Sequence, residues 1–259
     1  MAIPDSAAYA IHPGQRRDQI DDLLREAASR PEPGEIVAAI VPDANRLEGG
    51  RIAAGVYKIL EGRKYDTVIL VAPSHSGPFG RINICSVDTY RTVLGDLRVN
   101  DQVRNELCDE DDDIFLDNEG HFHSEGIDVQ LPFLQTVLGS NFAIVPIVMG
   151  DESADFCREL GNAIGEIMYS RRALLVATAS LVEGGGEDVE VFRQLLEIGD
   201  VPRLMALLNS DRVRVEGKGP LLVSLIAAQH RKADTVRIVD LNAPENGEFG
   251  FVGAVIVRS

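Results

Sequence analysis

The feature that most constrains this chain is the exchange of short, β-branched apolar runs with longer stretches of helical spacing. Ile36–Val41, Thr67–Ala72, Phe142–Met149 and Ala173–Ala179 read as buried strands, and Arg81–Val87 as a less regular one. Gly50–Leu60, Asp101–Cys108, Gln130–Leu138, Ser153–Tyr169, Val189–Ile198, Val201–Asn209 and Pro220–His230 carry helical patterns. Pro132 is tolerated near the start of its helix, where the missing N–H has no partner to lose. Thr235–Asn242 and Phe251–Val257 close the chain as strands, either of which fits an antiparallel position. There is no composition break, internal repeat or linker in the middle. The pattern predicts a single α/β domain over residues 34–259, with a central, mostly parallel or mixed β-sheet flanked by helices. Residues 1–33 form an N-terminal segment whose helical stretch, Arg16 to Ala28, is stopped by Arg30-Pro31-Glu32-Pro33-Gly34.

Charge narrows the partners. Against 41 Asp and Glu stand 25 Lys and Arg, a net charge of −16. Such a chain repels phosphate backbones and anionic lipid unless it carries a local basic patch. The basic residues come singly or in pairs such as Arg171-Arg172, so neither nucleic acid nor a membrane surface is an expected partner. No apolar run approaches the roughly 20 residues needed to cross a bilayer. The first residues lack the basic-then-apolar order of a signal peptide. Cys85, Cys108 and Cys157 are widely spaced and read as reduced thiols, which places the protein in the cytoplasm.

In an open α/β sheet, ligands sit beyond the carboxyl ends of the strands. Those positions hold Asp43 and Asn45 after the first strand, Ser74, His75 and Ser76 after the second, and Ser180 and Glu183 after Ala173–Ala179. Each has a plain alternative. Asp43 and Asn45 suit a helix cap. His75 suits either a backbone-bonded loop residue or a metal ligand and proton shuttle. His121-x-His123 could bind a metal as an alternating pair, or be two loop histidines without a role. The acidic run Asp109–Asp113 lacks the glycine and glutamate of a calcium loop and reads as a solvated face. Gly184-Gly185-Gly186 reads as a turn. Gly217-Lys218-Gly219 lacks the flanks of a phosphate loop and reads as the turn that opens a helix.

Ala72-Pro73-Ser74-His75 and Ser86-Val87-Asp88-Thr89-Tyr90-Arg91-Thr92-Val93-Leu94-Gly95 add a resemblance, joined by Val129-Gln130-Leu131-Pro132-Phe133 and Ile144-Val145-Pro146-Ile147-Val148-Met149-Gly150. Taken in order, these segments resemble the Memo family, which includes the AmmeMemoRadiSam system protein B. The resemblance implies the fold of class III extradiol dioxygenases, with a metal-type pocket at one sheet edge. It also implies a site that has changed. Of five positions where the family carries His or Cys, only His75 is kept. Asp43, Glu125, Glu183 and Glu216 occupy the others, and Ser180 stands in place of an Asp.

Four carboxylates brought together cannot all ionise without a cation. Oxygen ligands in place of Cys and His favour Mn²⁺, Mg²⁺, Ca²⁺ or Fe(II) over copper and zinc. The first expectation is a divergent, non-catalytic binding or scaffold protein with an acidic strand-end pocket lined by Glu125, Glu183, Ser180 and Ser74. Its partner would be a small molecule or a protein. The alternative is a metal-dependent enzyme in which Asp43, His75 and Glu216 hold a divalent ion and Glu125 or Glu183 acts as base. Ring-cleaving dioxygenase chemistry is disfavoured, because Ser180 and Glu183 replace the polar partners it uses.

Overall fold

The computed structural model describes residues 12–28, 31–43, 47–109, 113–121, 124–245 and 248–258. The first half runs α1 (Pro13–Glu26), β1 (Glu35–Val41), α2 (Leu47–Leu60), β2 (Thr67–Pro73), β3 (Ile82–Ile84), β4 (Thr89–Thr92), β5 (Gly95–Arg98), α3 (Asp101–Asp109), β6 (Ile114–Leu116) and α4 (Glu125–Leu138). It continues with β7 (Ala143–Met149), α5 (Ala154–Tyr169), β8 (Ala173–Thr178), β9 (Ser180–Gly184) and α6 (Gly186–Glu197). The chain then closes with α7 (Val201–Leu208), β10 (Val213–Glu216), α8 (Lys218–His230), β11 (Thr235–Leu241) and β12 (Gly250–Arg258).

Among the described residues ten strands form one mixed sheet in the order β10-β9-β12-β1-β8-β2-β7-β3-β6, with β11 also paired to β12. The centre, β1-β8-β2-β7, is parallel, and every residue of β2, β7 and β8 is buried. That double-sided burial explains their unbroken apolar runs, since helices cover both faces of the sheet. On one face Ile164 of α5 and Leu222 of α8 pack with Phe192 of α6 and Leu204 of α7. On the other, Ile20 of α1, Tyr57 of α2 and Phe133 of α4 form a second core, and Tyr57 and Phe133 stack with ring centres 5.1 Å apart. The helix of the N-terminal segment therefore shares the core of the domain through Ile20 and Leu24. β12 runs antiparallel to β1, β9 and β11, which gives the last two strands the orientation their position allowed.

Two local expectations change, and one hairpin had no sequence reading. α4 begins at Glu125, not Gln130, so Pro132 lies inside the helix rather than near its start. The segment Glu125-Gly126-Ile127-Asp128 carries little apolar periodicity and a glycine, which hid this first turn. Thr89–Arg98 forms the β4–β5 hairpin around Val93-Leu94, a loop without the Asn-Gly signal of a tight hairpin. It docks on α4 through Tyr90, whose hydroxyl donates to Asp128 at 2.8 Å. Ser180–Gly184 is not loop but strand β9, antiparallel to β10. The three cysteines form no disulfide. Among the described residues no helix is long and apolar enough to cross a membrane.

Candidate metal centre

The parallel strands deliver their carboxyl ends to one edge of the sheet. Asp43 follows β1, His75 follows β2, Thr178 ends β8, and Glu216 ends β10 opposite Ser180 of β9. One ligand-type atom from each of Asp43, His75 and Glu216 lies within 4.8 Å of the others. His75 Nε2 stands 2.9 Å from Asp43 Oδ2 and 4.0 Å from Glu216 Oε1.

Asp43 is the fixed point. It is 2% exposed, and both its carboxylate oxygens and its backbone N–H are held. The Thr178 hydroxyl donates to Oδ1 at 2.8 Å, and the Asp43 backbone N–H donates to Ser180 Oγ at 2.9 Å. The carbonyl of Pro42, one residue earlier, accepts from Gln130 Nε2 at 3.0 Å, and Gln130 Oε1 in turn accepts from the Tyr57 hydroxyl. Buried polar groups joined in this way fix a side chain in one orientation. The Asp43 carboxylate faces Thr178 and His75; the helix-cap reading of Asp43 and Asn45 involves Ala44, Asn45 and Arg46, which lie outside the described residues.

Gly126 closes the floor. A Cβ there would lie 2.1 Å from Asp43 Oδ1 and 3.2 Å from both Ala72 Cβ and Thr178 Oγ1, so only glycine lets α4 approach the carboxylate. Its neighbour Glu125 is exposed and stands outside the close group, yet its charge reaches His75. Burial opposes a charge on His75. It is outweighed by the hydrogen bond to Asp43 and by the charges of Asp43, Glu216 and Glu125, which together lift its pKa to about 9. Burial also pushes the Glu216 carboxyl up, helped by Asp43 and Glu125 and opposed by His75. Without a cation, the site balances its carboxylates with the imidazolium proton.

The remaining expected residues separate from this group. Glu183, three residues along β9 from Ser180, pairs with Arg214 at 2.9 Å, and both are exposed on the rim. Ser74 is a turn residue, its hydroxyl donating to the Gly77 carbonyl at 2.6 Å. His121 is buried with Nε2 3.0 Å from the Asn83 carbonyl, and burial lowers its pKa to about 4, so it stays neutral. His123 and Glu110–Asp112 lie outside the described residues. Gly217 caps α8 at φ +79°, which bears out the reading of Gly217-Lys218-Gly219 as a helix-opening turn. Gln130 lies in a family-like segment, but that segment did not announce its role; the roles of Thr178, Gly126 and Gln130 arise only when β8, α4 and the end of β1 meet.

Fold and site together define an α/β protein with a His-and-carboxylate cluster at the carboxyl edge of its sheet. Residues 6–246 match the Memo-like protein family, and the chain belongs to that family. It is 27% identical over 243 residues to a MEMO1 family protein of Thermoplasma acidophilum, covering 90% of this chain and 88% of the relative. A MEMO1 family protein of Methanosarcina barkeri is 29% identical over 252 residues, covering 93% and 92%. One from Sulfolobus acidocaldarius is 31% identical over 199 residues, covering 73% and 70%. The fold is similar to that of an uncharacterized protein from Escherichia coli K12 in its crystal structure. That likeness has a TM-score of 0.56 at 14% identity, over 86% of this chain and 100% of the other.

Proposed function

We propose that this Memo-family chain binds a divalent cation through Asp43, His75 and Glu216, and that the cation serves chemistry on a small ligand at the sheet edge. The observation that carries this reading is the convergence of one imidazole and two carboxylates within 4.8 Å from three different strand ends. The donor set fits a cation. Asp43 is already oriented by Thr178 and Ser180, and His75 is 23% exposed, so the group can be reached from solvent. Two oxygen donors and one nitrogen suit Mn²⁺, Mg²⁺ or Fe(II) better than copper. A bound cation would supply Lewis-acid polarisation of a ligand oxygen. The chain's own residues supply the rest: Gln130 and Tyr57 hold the backbone at Pro42, and Gly126 keeps the floor flat beneath Asp43.

The non-catalytic expectation draws on the same replaced histidines, but it gives no reason for the hydrogen bonds that fix Asp43. Titration of chelator-treated protein with Mn²⁺, followed by thermal melts, separates the two. At 100 times its Kd, a ligand specific for the folded state adds about 2.7 kcal/mol, which is read as a higher melting temperature. The shift is expected in the natural chain and absent in His75→Ala. Equal melts with and without Mn²⁺ in the natural chain would favour the scaffold role.

A further inference from the structure

A fourth ionisable group belongs to this edge of the sheet. Glu152 follows β7, the strand beside β2 that leads to His75. With Ser74, Phe79, Met149 and Asp151 it lines a groove of about 580 Å³. Its place is built into the fold. Glu152 Oε2 accepts the backbone N–H of Gly219, 2.5 Å away in the first turn of α8. A Cβ at position 219 would lie 2.8 Å from Glu152 Cγ and 3.1 Å from Met149 Cε, so a glycine there lets the helix close onto the carboxylate. α8 begins two residues after Glu216, and one turn of chain therefore presents Glu216 and clamps Glu152.

The charged and titratable groups around Glu152 come from every element that meets it. Asp43 beyond β1 and Glu216 of β10 favour its neutral form, and Lys218 of α8 favours the carboxylate. Cys157 of α5 is a thiol pushed up to about 12 by burial, so it stays neutral. Burial dominates at Glu152 itself, and its pKa rises to about 7. Glu152 thus exchanges its proton near neutral pH. Neither carboxylate expected to act as base is placed so well: Glu183 is paired with Arg214, and Glu125 is exposed.

We infer that Glu152 is the proton-exchanging group of this site, serving a small hydroxyl- or enol-bearing ligand seated in the groove. The inference rests on the cation reading above. When Glu152 acts as base, the ligand O–H bond breaks, an O–H bond forms on the carboxylate, and the negative charge passes to the ligand oxygen. When it acts as acid the same transfer runs backwards, and no electrons change hands.

Calorimetric titration with Mn²⁺ in two buffers of different ionisation enthalpy, at about pH 7, counts the protons displaced. The natural chain is expected to release about half a proton more than Glu152→Gln, because the cation's charge drives off the fraction that Glu152 still holds. Equal release would overturn the inference. Infrared difference spectra of the metal-free protein between about pH 5.5 and pH 8.5 give a readout independent of metal. A protonated-carboxyl band is expected to vanish with a midpoint near 7, to be missing in Glu152→Gln, and to move to higher pH in Lys218→Met. No such band at Glu152 would overturn the inference whatever the metal does. Failure of Mn²⁺ to bind either protein would overturn the cation reading instead, while the infrared band still decides Glu152.

Discussion

His75 and Asp43 hold each other as an ion pair in a place where a cation would compete with the imidazolium proton. The consequence for stability has a definite sign. His75 has a folded pKa of about 9 against an ordinary 6.5, so the folded chain binds this proton more tightly than the unfolded one. The stabilisation is fully present below pH 6.5 and is lost as pH rises through 9. Its size is on the order of 3 kcal/mol for a shift of this extent. Metal-free protein should therefore melt at lower temperature as pH climbs from 6.5 to 9, and His75→Asn should show a flatter profile over that window. Cation affinity should rise over the same range, because a ligating imidazole must first give up its proton. A melting profile identical in the two proteins would contradict the pairing. Asp43, His75 and Glu216 were legible because each falls at a strand end or on a family motif. Glu152 was not, since its chemistry comes from burial against α8 rather than from any pattern around residue 152.

Among the elements, α4 does the most to shape the site and was the least legible. Its first turn presses Gly126 on Asp43, its second sends Gln130 to Pro42, and the hairpin of β4 and β5 holds it through Tyr90. Its apolar face is plain in sequence only from Val129 onward, so the start at Glu125 could not be read from periodicity. Glu183 illustrates a related difficulty. An expectation of loop after β8 puts every polar residue there near the ligand. Strand β9 instead carries Glu183 away along the register with β10 and leaves Ser180 behind to hold Asp43. Gly126→Ala tests the role of α4. Forcing a methyl group onto Asp43 should cost about 1–3 kcal/mol in chemical denaturation. It should also weaken Mn²⁺ binding by roughly 10–100-fold, as changes that misalign a ligand do. Unchanged Mn²⁺ affinity in a folded Gly126→Ala protein would contradict the account of the floor.

For the molecule as a whole, the mixed sheet explains why a chain with a net charge of −16 can keep a cluster of carboxylates at one point. Parallel strands β1, β8, β2 and β7 end together, while successive antiparallel pairings from β1 through β12 and β9 reach β10 and bring Glu216 back to the same edge. The apolar runs and their spacing made the sheet and its helices readable. The order of the strands, which decides that Glu216 faces His75, is a long-range property that local pattern does not encode. On the proposed reading, this edge of the sheet is where a cation binds. The most direct test is anomalous X-ray scattering from crystals of the natural chain grown with Mn²⁺. A single strong peak is expected among Asp43 Oδ2, His75 Nε2 and the Glu216 carboxylate, and it should vanish in crystals of His75→Ala. A map with no peak there, or with manganese bound only elsewhere, would contradict the account.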